Sequence, residues 1–223
     1  MQKRILISIT AAGLLALATL ATAGDQLPEV DPDGLQLQKD TKVYAAYVKP
    51  GATFNQFTKV MILDCYVELV ENWQRNYNLN HVGLSGRVND KDAEDIKKRL
   101  AAGFTEVFVE QLGKAGYPVV EETGPDVLLL RPALVNVDVT APDTNSGLGS
   151  RTYVRSAGSM TLYLELYDSS TRTLLARVID PQADDDSFVR EADRMNNQIA
   201  AERILKHWAT LLTNSLEAVH AGN

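Results

Sequence analysis

Apolar and polar residues alternate in several stretches of the chain. From Lys59 to Leu69, Met61, Leu63, Cys65, Val67 and Leu69 alternate with Val60, Ile62, Asp64, Tyr66 and Glu68. The second set turns polar toward its end, which predicts a strand with one dry face and one partly wet face. From Ser159 to Tyr167, Met160, Leu162, Leu164 and Leu166 share one face, and Thr161, Tyr163, Glu165 and Tyr167 the other. Asp168 to Thr173 is a polar turn, and Leu174 to Ile179 completes a hairpin. Val127 to Val139 is long and β-branched, and its Pro132 marks an edge position or a bulge. Val43 to Val48 reads as a short edge strand stopped by Pro50-Gly51, and Val119-Val120 begins another short strand.

Two stretches carry the helical period. Ile96, Leu100, Phe104, Val107, Phe108 and Leu112 recur three and four apart, a stripe that must face a sheet. Asn89 or Asp90 caps this helix, with Asp92, Glu94 and Asp95 near its positive end. Gly116 suits a left-handed cap, and Pro118 prevents continuation. The last helix is expected from about Phe188 to Val219, with Ile199, Leu205, Trp208, Leu212, Leu216 and Val219 as its stripe and Asp186 or Ser187 as its cap. Strands joined by short turns imply antiparallel pairing. The expected fold is α+β, a two-layer sandwich. It has a mostly antiparallel sheet of four to six strands, with two long amphipathic helices packed on one face.

The N-terminus reads differently. Lys3 and Arg4 precede an apolar run from Ile5 to Leu20, and Ala21-Thr22-Ala23 supplies a small-x-small site. That is the pattern of a secretory signal peptide over 1–23, cleaved before Gly24. The run is shorter than the roughly 20 residues needed to span a bilayer. No other segment is apolar enough to span, so no integral membrane segment is expected after signal removal. Residues 24–41 hold Pro28, Pro32, Gly34 and five acids with no apolar period, and are expected to be a flexible lead-in. Residues 42–223 then form a single α+β domain. Periplasm is the expected location, with secretion second.

The 223 residues are 45% hydrophobic and 23% charged, which is globular composition. The formal charge is -7, and losing Lys3 and Arg4 deepens it to about -9. An acidic balance argues against nucleic acid as a partner. A single cysteine excludes an internal disulfide framework and a cysteine-based zinc finger.

Three phrases together resemble a known family. They are Tyr47-Val48-Lys49-Pro50-Gly51 with Lys59-Val60-Met61-Ile62; Ala115 to Val120 followed by Gly124 to Leu128 and Arg131-Pro132-Ala133-Leu134; and Leu164 to Ser169 with Leu174-Leu175-Ala176. Their order is similar to that in predicted bacterial lipoproteins catalogued as domain of unknown function 3313. The likeness covers roughly residues 43 to 217. It implies an envelope location and supplies no catalytic residues. This chain lacks the lipidated cysteine that members usually carry, so tethering is not carried over. Arg172 stands where such hairpins often have glycine.

Candidate chemistry is sparse. Gly83-Leu84-Ser85-Gly86 is the nearest approach to a nucleophile elbow, but Arg87 replaces the second flanking glycine. Cys65 sits on an apolar strand face, where a buried small hydrophobe is expected rather than a thiolate. His81 lies in a loop, His207 beside Trp208, and His220 at a frayed end; no two share the spacing of a helical zinc site. Asp184-Asp185-Asp186, with Asp180 nearby, reads as a solvated acidic loop rather than a calcium site. No catalytic residue, metal or cofactor is assigned.

Two loops exceed what connection requires. Val70 to Asn89 holds Trp73 and Tyr77, either a ligand platform or a plug over the sheet edge. Thr140 to Gly158 holds Arg151, Tyr153 and Arg155, either an anion- or partner-binding cluster or ordinary surface residues. Tyr163, Glu165 and Tyr167 face away from the leucines. They lie open to a partner or a second copy, or under the lead-in.

The expected function is a non-enzymatic binding or interaction module of the bacterial cell envelope, meeting an envelope protein or cell-wall component. Its candidate contacts are Trp73, Tyr77, Arg151, Tyr153 and Arg155. The alternatives are an envelope hydrolase using scattered carboxylates and His81, or a carrier of a small apolar ligand.

Overall fold

The computed structural model describes residues 27–80, 87–139, 153–191 and 194–222, and side chains outside 80, 153–157 and 184–199. In chain order the elements are β1 (Gln36–Leu37), β2 (Ala45–Val48), β3 (Lys59–Ile62), β4 (Tyr66–Leu69), α1 (Trp73–Asn80), α2 (Asp90–Lys114), β5 (Val127–Val139), β6 (Tyr153–Asp168), β7 (Leu174–Glu191) and α3 (Arg194–Ala221). The described strands form one sheet in the order β1-β2-β7-β6-β5-β3, with β4 also on β5.

The α+β class and the mostly antiparallel sheet hold, with one correction. The sheet has seven strands among the described residues rather than four to six, and two of its pairings are parallel. β3 and β4 both run parallel to β5, because a parallel neighbour is reached only by a long crossover, here through α1 and α2.

The expected strand from Lys59 to Leu69 is broken in two. Pro132 explains the break. In β5 the Leu134 amide faces Cys65, so position 132, two residues earlier, faces the same side. Proline has no amide to give there. β3 stops pairing at Leu130, and β4 resumes at Ala133. The burial phase changes across the gap. Val60 is buried before it, Leu63 is 39% exposed within it, and Cys65 and Val67 are buried after it.

The last hairpin is also longer than expected. β6 and β7 pair from Tyr153 opposite Glu191 to Tyr167 opposite Leu174, through several register shifts. Asp186 and Ser187 therefore lie inside β7, and α3 begins at Arg194 rather than near Phe188. Gly158 closes the β5–β6 pairing at φ 150, where a Cβ would collide with the Asp138 carbonyl. Arg172, in the β6–β7 turn, takes φ 57 without being glycine.

Local signals behave as the sequence predicts in α2. Asn89, not Asp90, is the cap: its side chain accepts from the Lys91 and Asp92 amides, and Asp92 accepts from the Asn89 amide at 2.8 Å. At the other end Gly116 has φ 83, and the Tyr117 amide bonds to Leu112 O at 2.9 Å. Phe104, Phe108 and Leu112 from α2 meet Leu205 and Trp208 from α3 over Leu128, Leu130 and Leu164. This is the main core, and these side chains are buried between the sheet and the long helices.

Candidate functional site

Alternation in β6 places Leu162, Leu164 and Leu166 under the helices and Tyr163, Glu165 and Tyr167 on the opposite, outer face. Strand register then draws a line of polar side chains across that face. Arg131 on β5 is opposite Glu165 on β6, Glu165 is opposite Arg177 on β7, and Arg177 is opposite Tyr47 on β2.

Glu165 is 5% exposed, and both of its oxygens are occupied. Oε1 accepts from Arg177 Nη2 at 2.8 Å and Nε at 3.2 Å, and from the Tyr163 hydroxyl at 3.3 Å. Oε2 accepts from the Tyr167 hydroxyl at 2.8 Å and from Arg131 Nη1 at 3.2 Å. Arg177 is 9% exposed, and its guanidinium lies 5.5 Å from the Tyr163 ring centre.

The remaining Arg177 donors reach the N-terminal segment. Nη1 donates to Asp31 and Nη2 to Asp33 at 2.6 Å. Asp31 Oδ1 also accepts from the Asp33 and Leu35 amides, which bends the chain into a tight turn with Gly34 at φ 82. Leu35 is buried beside Ala45 and Tyr47, and β1 pairs with β2. Residues 27–37, read as lead-in from sequence, thus form a strap over one side of the outer face.

Burial would raise the Glu165 carboxyl, but hydrogen bonds from Arg177 and Tyr167 and the charges of Arg177 and Arg131 outweigh it and hold it below its ordinary value. Burial opposes the Arg177 charge, and hydrogen bonds to Asp33 and Glu165 outweigh it, so the guanidinium lies above its ordinary value. Burial pushes the Tyr163 hydroxyl up to about 12, with Arg177 working against the shift and Glu165 adding to it. A carboxylate saturated with donors is a poor base and nucleophile. The arrangement suits rigid recognition, not proton transfer.

Trp73 and Tyr77, which stand out in the sequence, lie elsewhere. Trp73 is on α1 rather than in a loop and is 4% exposed. Its indole N–H donates to Val139 O at 3.1 Å, and it stacks on Tyr77 with centroids 5.8 Å apart. With Val88, Ala93 and Ile96 it forms a small satellite core, the arrangement of a plug. Tyr153 and Arg155 lie in β6, not in a loop; their side chains, and all of Arg151, fall outside the described residues. Trp73 and Tyr77 are thus together.

His81 and Ser85 also fall outside the described residues. His207 is exposed on α3. His220 is packed rather than frayed, with Nδ1 2.8 Å from Leu216 O and 3.1 Å from the Tyr117 hydroxyl. Asp180 is not part of a solvated loop. It is buried under α3 and accepts from the Trp208 indole and the Tyr44 amide, both at 2.8 Å. Asp184-Asp185-Asp186 lie in β7. Among the described residues no group of three or more His, Cys, Asp or Glu side chains could hold a metal ion.

Cys65 lies in the connection between β3 and β4, and burial pushes its thiol up to about 12. Native protein at pH 8 is expected to react with a thiol reagent only through transient opening. Labelling should become fast when denaturant is added, and fast labelling of the native chain would contradict this.

Arg177, Arg131, Asp31 and Asp33 were not singled out from sequence. The available signal was one arginine inside the apolar strand Leu174–Ile179, set opposite Glu165 once the hairpin register is counted. Nothing local points to Asp31.

The family model for protein of unknown function 3313 matches residues 30–212, a span that contains this whole cluster. The chain belongs to that family. No curated protein matches it. Among solved structures it is similar to the PelC dodecamer from Paraburkholderia phytofirmans, at 10% identity over 74% of this chain and 96% of the other, TM-score 0.38. It is also similar to a neuraminyllactose-binding hemagglutinin homolog from Helicobacter pylori, at 14% identity over 77% and 88%, TM-score 0.39. A third is protein XCC0632 from Xanthomonas campestris, at 14% identity over 75% and 92%, TM-score 0.38. Among the described residues no helix is long and apolar enough to cross a membrane.

Proposed function

We propose that this member of the 3313 family is a non-enzymatic interaction module of the bacterial cell envelope, exported to the periplasm, that meets its partner with the outer face of its sheet. One observation carries the reading: both arginines of the Arg131–Glu165–Arg177 line bond Glu165, yet among the described residues the strap reaches only the Arg177 end. At the other end Arg131 is exposed, and Leu129, Ala133, Val135, Thr161 and Tyr167 are only partly buried. A half-covered apolar face with aromatic and arginine side chains has the composition of an interaction surface. The signal-like N-terminus supports export.

The enzyme alternative needs Asp64 or Glu68 beside His81; both carboxylates are exposed, and His81 lies outside the described residues. The carrier alternative needs an apolar cavity under the helices, where Phe104, Phe108 and Trp208 are buried.

The test is affinity capture of the exported chain from its native envelope fraction, comparing wild type with Thr161→Arg. The reading expects mature protein beginning at Gly24 and a stoichiometric envelope partner. The Thr161→Arg variant should lose that partner while its melting temperature stays within a few degrees of wild type. Equal retention of the partner by folded Thr161→Arg would overturn it.

A further inference from the structure

Arg131 and Arg177 flank Glu165 in the same register, one on each neighbouring strand, and each takes one of its oxygens. Their outward sides differ. Arg177 is completed by the Asp31 and Asp33 carboxylates of the strap, and its side chain is 10% exposed. Arg131 has Glu165 as its carboxylate partner, and its side chain is 63% exposed. The strap shows what completes such an arginine on this face: an Asp-Pro-Asp turn, followed by a leucine buried beside Ala45 and Tyr47.

We infer that Arg131 is the docking point for a carboxylate presented by a short acidic segment of a protein partner, laid over β5 and β6 as residues 30–35 are laid over β7. The inference rests on the outer face being the interaction surface. The planar guanidinium fork matches a carboxylate with two parallel hydrogen bonds. Leu129, Ala133 and Tyr167 lie on the same face around it, partly exposed, and offer an apolar neighbour a seat like that of Leu35. The chain carries a net charge of -7. A broadly acidic protein surface would be repelled, so the fit is to one or two carboxylates within an otherwise apolar stretch.

The probe is a capped peptide with the strap's own sequence, Val-Asp-Pro-Asp-Gly-Leu, titrated into the intact mature chain and followed by amide NMR shifts. The expected result is saturable shifts at the amides of Arg131, Ala133 and Tyr167, with those of Asp31 and Leu35 unmoved. Binding should weaken about tenfold or more when both aspartates of the peptide become asparagine, and equally in Arg131→Gln. Arg131→Lys, which keeps the charge without the fork, should fall between. Three results would each overturn the inference: equal binding of the asparagine peptide, unchanged binding to Arg131→Gln, or shifts centred on Arg177 and the strap. If the peptide fails while Thr161→Arg still releases the envelope partner, the face remains the interaction surface and only the carboxylate docking falls.

Discussion

Replacing Arg177 with methionine lowers stability by about 3–5 kcal/mol, read by chemical denaturation at pH 7. The cause is what the substitution leaves behind. Glu165 and Asp31 are both buried and both depend on this guanidinium, and an unpaired buried carboxylate is far more costly than an exposed one. Asp33 is largely exposed and contributes little to the loss.

The pH dependence separates this mechanism from a simple packing loss. In wild type the folded Glu165 carboxyl lies below its ordinary value. Its contribution is therefore fully present above the unfolded carboxylate range and is lost as pH falls through the folded value. In Arg177→Met the balance reverses, because burial now acts on Glu165 with less opposition. The variant's deficit should shrink in acid, where the carboxyl is protonated. A deficit of equal size at pH 4 and pH 7 would mean that Arg177 acts through its stem rather than its charge. Glu165→Gln should flatten the acid limb of the wild-type profile.

The second large effect is at Trp208. Trp208→Ala should cost about 3–5 kcal/mol, since a large buried ring is removed from the junction of α3 with the sheet. Trp208→Phe keeps most of the volume but strips the indole donor from Asp180, a buried carboxylate, at about 1–3 kcal/mol. Asp180 also holds the Tyr44 amide just before β2. Hydrogen exchange at Tyr44 should accelerate in Trp208→Phe if the carboxylate moves toward water. Unchanged exchange there, with a loss well under 1 kcal/mol, would show that the Trp208–Asp180 bond contributes little.

What was legible in the sequence follows the range of the forces involved. The stripe, cap and glycine stop of α2 are set within four residues, so they were readable. The alternation of β6 is equally local, and it placed Glu165 on the right face. The break between β3 and β4 was not readable, because its cause, Pro132, lies on another strand about 70 residues away. Nor was the extension of β7 through Asp184-Asp185-Asp186, where strand pairing overrides a loop-like composition. Trp73 stood out as an aromatic in a connection, yet it serves a satellite core. The strap was hardest. Five acids with no apolar period look unstructured, and the Arg177 that orders Asp31 is 146 residues downstream.

The central claim is that recognition runs through the outer face of the sheet, and the most direct measurement is photocrosslinking in living cells. A photoreactive residue at Thr161 on that face is compared with one at Glu202 on α3, each adduct identified by mass spectrometry. The account predicts one envelope protein captured from Thr161 and not from Glu202. The same protein captured equally from both positions, or from Glu202 alone, would contradict it.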